Sequence, residues 1–269
     1  MINQNTRFNY LLVIIITVSI FIIWDMYPLW KDYKWRYLLQ QSYQTGTSLD
    51  KHYQILDNII HQTGDFEGHI GCSGDKIHFL SEIIKKYSPK RIAEIGFNAG
   101  HSSCLFLYSN PNCSVTSFDL CEHKYSLETQ DYIKQQFPNR LKIICGDSTQ
   151  TVPNYKGDYD DDYDDEYGDD YGDDYNEEDD YNNNYRFDLI FVDGGHENNL
   201  PYLDLKNSLK NLAKKGSIII MDDTHYSFLV TQWLKLKYTF TVDSAWEHFL
   251  GKNIKQIGSI RGMSLGIVV

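Results

Sequence analysis

Several residues whose types and spacing could do chemistry sit where apolar runs end. In RIAEIGFNAGHSS (Arg91 to Ser103), Glu94 is followed by Gly96, Asn98 and Gly100 before a helical pattern resumes. A strand that ends in a Gly-spaced turn and opens a helix leaves bare backbone N–H groups beside a ligand. The spacing is E-x-G-x-x-x-G, not the G-x-G-x-x-G of dinucleotide-binding turns, which disfavours a nicotinamide-dependent oxidoreductase. Asp119 closes VTSFDL, Gly146-Asp147-Ser148 follows LKIIC, Asp193 closes the run in FDLIFVDGGHE, and Asp222 and Asp223 close SIIIM. Each has a plain alternative: Asp119 and Asp147-Ser148 as helix caps, Asp193 as a brace for the Gly194-Gly195 turn, Asp223 with Thr224 as another cap. His196 is a candidate general base, because imidazole titrates near neutrality. Its alternative is a hydrogen bond to its own turn. His101 and His225 are further candidates on adjacent loops.

The elements that must position these groups alternate. Strands are expected over Arg91–Gly96, Ser114–Leu120, Leu141–Cys145, Phe187–Asp193 and Ser217–Met221, and helices over Ala99–Tyr108, Lys124–Phe137 and Leu200–Ala213. Apolar strands separated by helices predict βαβ units and a parallel sheet covered on both faces. Upstream, three- and four-residue apolar spacings predict amphipathic helices over His52–Gln62 and Asp75–Tyr87, with a Gly-rich loop from Gly64 to Gly74. Downstream, helices are expected around Tyr226–Leu236 and Ala245–Leu250, then a hairpin of Ile254–Ile260 and Met263–Val269 turning at Arg261-Gly262.

With these residues in this order, the chain resembles class I S-adenosylmethionine (SAM)-dependent methyltransferases, over roughly Gly71 to Val269. Glu94, Gly96 and Gly100 match their motif I, and the D-G-x-H turn and Asp-Asp pair resemble the group near the small-molecule O-methyltransferases. The resemblance implies a Rossmann-like, doubly wound α/β fold, with a mostly parallel seven-stranded sheet ending in an antiparallel hairpin. It implies cofactor contacts from Glu94, Gly96, Asn98, Gly100, Asp119 (ribose hydroxyls), Asp147, Ser148 (adenine side) and Asp193, with Asp193 and His196 as catalytic groups. Strands four and five are neighbours in that fold, so Asp193, Asp222 and Asp223 could converge and hold Mg²⁺, which would acidify an acceptor hydroxyl. Catechol-type relatives carry Asp-Asn where this chain has Asp-Asp. Arg261 could reach an anionic substrate.

Composition bounds the rest. The net charge of −12 is concentrated: 15 of the 37 acidic residues lie between Asp158 and Asp180, leaving 22 acids against 25 bases elsewhere. Without a basic stripe interleaved with aromatics, no nucleic acid partner is expected. Gly157 to Asn184 is nearly all Asp, Glu, Tyr, Gly and Asn and reads as a disordered low-complexity insert at the pole opposite the ligand edge. A tolerated repeat expansion is its bland reading, and docking of a basic partner the sharper one. Five cysteines without a C-x-x-C pair predict free thiols and a reducing compartment rather than a disulfide scaffold or zinc site. Tyr10 to Trp24 carries no charge and reads as an uncleaved N-terminal transmembrane anchor; as a helix it spans about 22 Å and flanking aromatics extend it. Arg7 precedes it while Lys31, Lys34 and Arg36 follow, which points the main domain to the cytoplasm.

The expected organisation is an anchor over 1–30, a juxtamembrane and helical segment over 31–70, and a methyltransferase domain over 71–269 that contains the insert. The expected activity is methyl transfer from SAM to a small-molecule or sugar hydroxyl. The alternative is an inactive fold serving as a membrane-anchored interaction protein.

Overall fold

The computed structural model describes residues 43–64, 68–157, 186–224, 241–260 and 262–269. The apolar run at 10–24, all of the acidic insert after Gly157, the helix expected over Tyr226–Leu236, His225 and Arg261 lie outside the described residues. Among the described residues, no helix is long and apolar enough to cross a membrane.

Seven strands form one sheet: β1 (Arg91–Ile95), β2 (Ser114–Asp119), β3 (Leu141–Cys145), β4 (Phe187–Val192), β5 (Ala213–Thr224), β6 (Ile254–Ile260) and β7 (Gly262–Val268). Their order is β3-β2-β1-β4-β5-β7-β6. β1 to β5 run parallel, and β7 pairs antiparallel with both β5 and β6, as the expected terminal hairpin. Successive side chains alternate between faces. Ile92 therefore joins one apolar cluster and Ala93 the other.

The first face is covered by α1 (Leu49–Thr63), α2 (Gly74–Tyr87), α3 (His101–Ser109) and α4 (Ser126–Gln136). The second carries the short α5 (Ser148–Thr151), α6 (Leu200–Asn207) and α7 (Val242–Phe249). The ends of these helices follow local chemistry. Ser73 caps α2 by accepting from the backbone N–H of Lys76, and Thr241 forms a capping box with Ser244 at α7.

Three boundaries differ from the spacing-based expectation. The core starts before residue 71, because Leu49, Tyr53 and Leu56 of α1 pack in the same cluster as β1. The helix expected over Leu200–Ala213 stops at Asn207 and passes into a π turn over Ser208–Leu212. β5 is longer than Ser217–Met221 at both ends. Its polar start escapes an apolar criterion because Lys214 is held by an ion pair to Asp188 at 2.8 Å.

Candidate active site

The sheet order reverses between β1 and β4, and at such a reversal a parallel sheet opens a crevice beyond its strands' carboxyl ends. The two tips approach closely there. Gly96 has φ +93°, and a Cβ on it would lie 2.1 Å from the Asp193 carbonyl oxygen. Only glycine fits that position.

On the β2/β3 side, carboxylates are satisfied by nearby N–H groups. Asp119 Oδ2 accepts from the backbone N–H of Phe97 (2.8 Å) and Asn98 (2.9 Å), and Oδ1 accepts from Cys121 N–H (2.7 Å). Three of its roughly four acceptor positions are taken, so a ribose hydroxyl would use the remaining one or displace a loop N–H. The Asn98 side chain is also committed: Nδ2 donates to Gly68 O at 2.8 Å, and Oδ1 accepts from Tyr125 OH at 2.6 Å. Asp147 takes the cap role, accepting from Thr149 N–H at 2.8 Å. Ser148 donates to Asp204 Oδ1 at 2.6 Å. Burial, followed by the repulsion of Asp147, raises the Asp204 pKa to about 6 against the pull of that hydrogen bond.

Glu94, expected as a cofactor contact, is fully buried. It lies beneath α3 with no exposed surface, and its Oε2 accepts from Ser103 and Ser117 hydroxyls. The reason is the pleat: Glu94 shares the inward face with Ile92, so its side chain meets the covering helix. Burial pushes its pKa up to about 7 despite those hydrogen bonds.

The cysteine expectation also needs correction. Cys121 and Cys145 are joined in a disulfide with Cα atoms 5.5 Å apart, while Cys104 and Cys113 are buried free thiols. Parallel pairing sets Asp119 opposite Cys145, which brings Cys121 alongside, across 24 residues of sequence. No local cysteine spacing encodes such a pair.

On the β4/β5 side the expected convergence is present, with a partner that spacing does not reveal. Lys76 of α2 places Nζ 2.6 Å from Asp222 Oδ1 and 3.1 Å from Asp223 Oδ1. Asp223 reaches in from a β-bulge, since the β5–β7 register shifts between Asp222 and Thr224, and its φ is +57°. A bulge re-aims a side chain, and a left-handed non-glycine residue costs on the order of 1 kcal/mol or more. Asp223 Oδ2 lies 3.3 Å from His196 Nε2. Asp193, His196 and Asp223 bring ligand-type atoms within 4.8 Å of one another. Burial, then repulsion from Asp222 and Asp223, drives the Asp193 pKa well up, with Lys76 opposing. Burial likewise lifts Asp222 to about 6, with Lys76 again opposing. Burial alone would lower the Lys76 pKa, but Asp222, Asp223 and Asp193 outweigh it and hold the ammonium above its ordinary value.

His101 belongs elsewhere. It is buried at the start of α3, with Nε2 3.0 Å from Asp57 Oδ1 and its ring stacked on His69 at 3.6 Å. Spacing missed this cluster because its members lie on three separate elements.

Residues 93–224 match the family model described as a methyltransferase domain. No curated protein matches the chain. Among solved structures, the chain is similar to cofactor-bound Rv0187 from MTB at 17% identity, covering 81% of this chain and 90% of that one with a TM-score of 0.55. It is also similar to the SAH-bound methyltransferase PaMTH1 of Podospora anserina, at 14% identity, 88% and 94% coverage and a TM-score of 0.53. A third is the O-methyltransferase TomG of Streptomyces achromogenes, in complex with SAM, at 15% identity, 80% and 89% coverage and a TM-score of 0.51. At such identities the likeness carries the fold. Joined to the match over residues 93–224, it gives this chain the methyltransferase fold, with that stretch as its methyltransferase-domain segment.

Proposed function

We propose that the crevice at the β1 and β4 tips binds SAM and that the chain methylates a hydroxyl of a small-molecule or sugar acceptor beside Asp193, Lys76, His196 and Asp223. The observation that carries this reading is the gathering of those four side chains, from α2, β5 and the segment after β4, next to the Gly96 turn. When bound, SAM supplies a methyl carbon that an acceptor oxygen attacks as the carbon–sulfur bond breaks, leaving S-adenosylhomocysteine and one proton.

Each residue has a task. The N–H groups of Gly96, Phe97, Asn98 and Gly100 are spent within the fold, so the cofactor's carboxylate would be met by the N-terminal end of α3 that this turn opens. Asp119 faces the ribose side. Asp223 draws His196 Nε2 toward itself, which leaves Nδ1 to take the acceptor's proton, the usual division of labour in an Asp–His pair. Holding the acceptor oxygen in line with the methyl supplies much of the rate.

The donor set does not fit the expected Mg²⁺. Asp222 and Asp223 already share the Lys76 ammonium. Two unit charges of like sign 4 Å apart repel by about 4 kcal/mol at an effective dielectric of 20, and a divalent ion doubles that. No step here runs through a metal.

The apolar run at 10–24 would tether the domain to a membrane, with the domain on the cytoplasmic side, and the acidic insert would be free to meet a basic partner. Calorimetric titration of the full chain with SAM, followed by an acceptor screen, tests the proposed activity. SAM binding with turnover supports it, and saturable SAM binding with no turnover of any hydroxyl acceptor favours an inactive, interaction-only fold.

A further inference from the structure

We infer that Lys76 is the resident cation of the acceptor side of this site, standing where a divalent ion would otherwise be held, so that the chain binds no metal there and takes its acceptor through one hydroxyl oxygen rather than a chelating pair. The acceptor half of this inference rests on the proposed methyl transfer; the cation half does not.

The geometry is built around the ammonium. Lys76 lies in the first turn of α2, where its backbone N–H is tied to the Ser73 hydroxyl at 3.4 Å. Its side chain crosses to β5 and ends 2.6 Å from Asp222 Oδ1 and 3.1 Å from Asp223 Oδ1. The Asp222 side chain is only 3% exposed and the lysine 18%, so the pair is shielded while the lysine keeps some exposure. The neighbouring turn leaves room for the stem: a Cβ on Gly262 would lie 3.0 Å from Lys76 Cε. The charged or titratable groups around Nζ are Asp222, Asp223 and Asp193, with His196 across Asp223.

Charge and proton counts agree with the assignment. Three crowded carboxylates need a cation, and a buried ammonium needs carboxylates. An ammonium has three protons. Two are spent on Asp222 and Asp223, and the third is left for an acceptor oxygen, whose developing negative charge it would stabilise. One remaining donor directs one oxygen. A vicinal diol gains nothing from its second hydroxyl here, as it would by chelating a metal.

The test is a count of bound Mn²⁺ by electron paramagnetic resonance, on the full chain without SAM or acceptor. The acidic insert contributes the same background to every variant, so only differences matter. Wild type and Asp222→Asn should bind equal Mn²⁺. Lys76→Met should gain one ion, bound at least tenfold more tightly than the background, and Lys76→Met with Asp222→Asn should lose it again. A loss of one ion from wild type on Asp222→Asn, or no gain in a folded Lys76→Met chain, overturns the inference. Should Lys76→Met fail to fold by circular dichroism, wild type against Asp222→Asn decides alone. Failure of SAM to bind would sink the proposed methyl transfer and leave this count unchanged.

Discussion

The two halves of the strand-tip edge handle negative charge in opposite ways. Around β2 and β3, Asp119 and Asp147 are satisfied by backbone N–H groups within their own loops or the next one. Around β4 and β5, Asp193, Asp222 and Asp223 crowd together and are balanced by Lys76, carried on a helix 147 residues from Asp223 in sequence. Backbone donors fix a carboxylate's position and suit the holding of a constant group. An ammonium beside an imidazole suits a place where charge and protons move. On the proposed methyl transfer, the first half would recognise the cofactor and the second would carry the chemistry.

The largest effect should come from the seam between them. Gly96→Ala puts a methyl group on the Asp193 carbonyl at a positive φ, and should cost at least about 3 kcal/mol in urea unfolding. A loss below about 1 kcal/mol would mean the tips are not held this close. Cleaving the Cys121–Cys145 disulfide should cost about 3 kcal/mol by loop entropy. If the halves are separate in function, reduction weakens SAM binding and leaves the Lys76-dependent Mn²⁺ count untouched; a changed count would break the comparison.

Proton linkage gives a subtler test. Burial raises the Glu94 pKa from 4.5 to about 7, and that of Asp222 from 3.8 to about 6. Between the ordinary and folded values the native chain binds more protons than the unfolded one, so stability falls as pH rises. These contributions are full below about pH 4 and gone above about pH 7. Glu94→Gln should flatten the fall in urea midpoint across that range; an unchanged slope would show that the Glu94 carboxylate is not buried as described. The smallest effect is expected from deleting residues 158–184. Tyr155 before the insert packs on Phe187 at the amino end of β4, away from the crevice, and SAM affinity should stay within about twofold. A large loss would place the insert at the site.

Much of this was legible in the sequence because it is local. The strands are short apolar runs, and the hairpin and the Gly96 turn are carried by consecutive residues. Asp119, Asp193, Asp222 and Asp223 were visible as charges at the ends of those runs. What escaped is non-local. Lys76 reads as one more solvated lysine on an amphipathic helix until α2 is laid against β5. Cys121 and Cys145 become partners only through strand register. Spacing gives the place of Glu94 in the motif but not the face its side chain takes, which is the one beneath α3. Asp147 and Ser148 fit both a cap and a cofactor reading by spacing; Asp147 makes the cap bond, and Ser148 bonds Asp204, a partner 56 residues away that spacing does not reveal.

The most direct measurement is calorimetric titration of the full-length chain with SAM, run beside Asp119→Ala. One saturable site, weakened roughly tenfold to a hundredfold by loss of the carboxylate, is the expected result. A folded chain that shows no saturable heat with SAM, or an Asp119→Ala variant that binds it as tightly as wild type, would contradict the account.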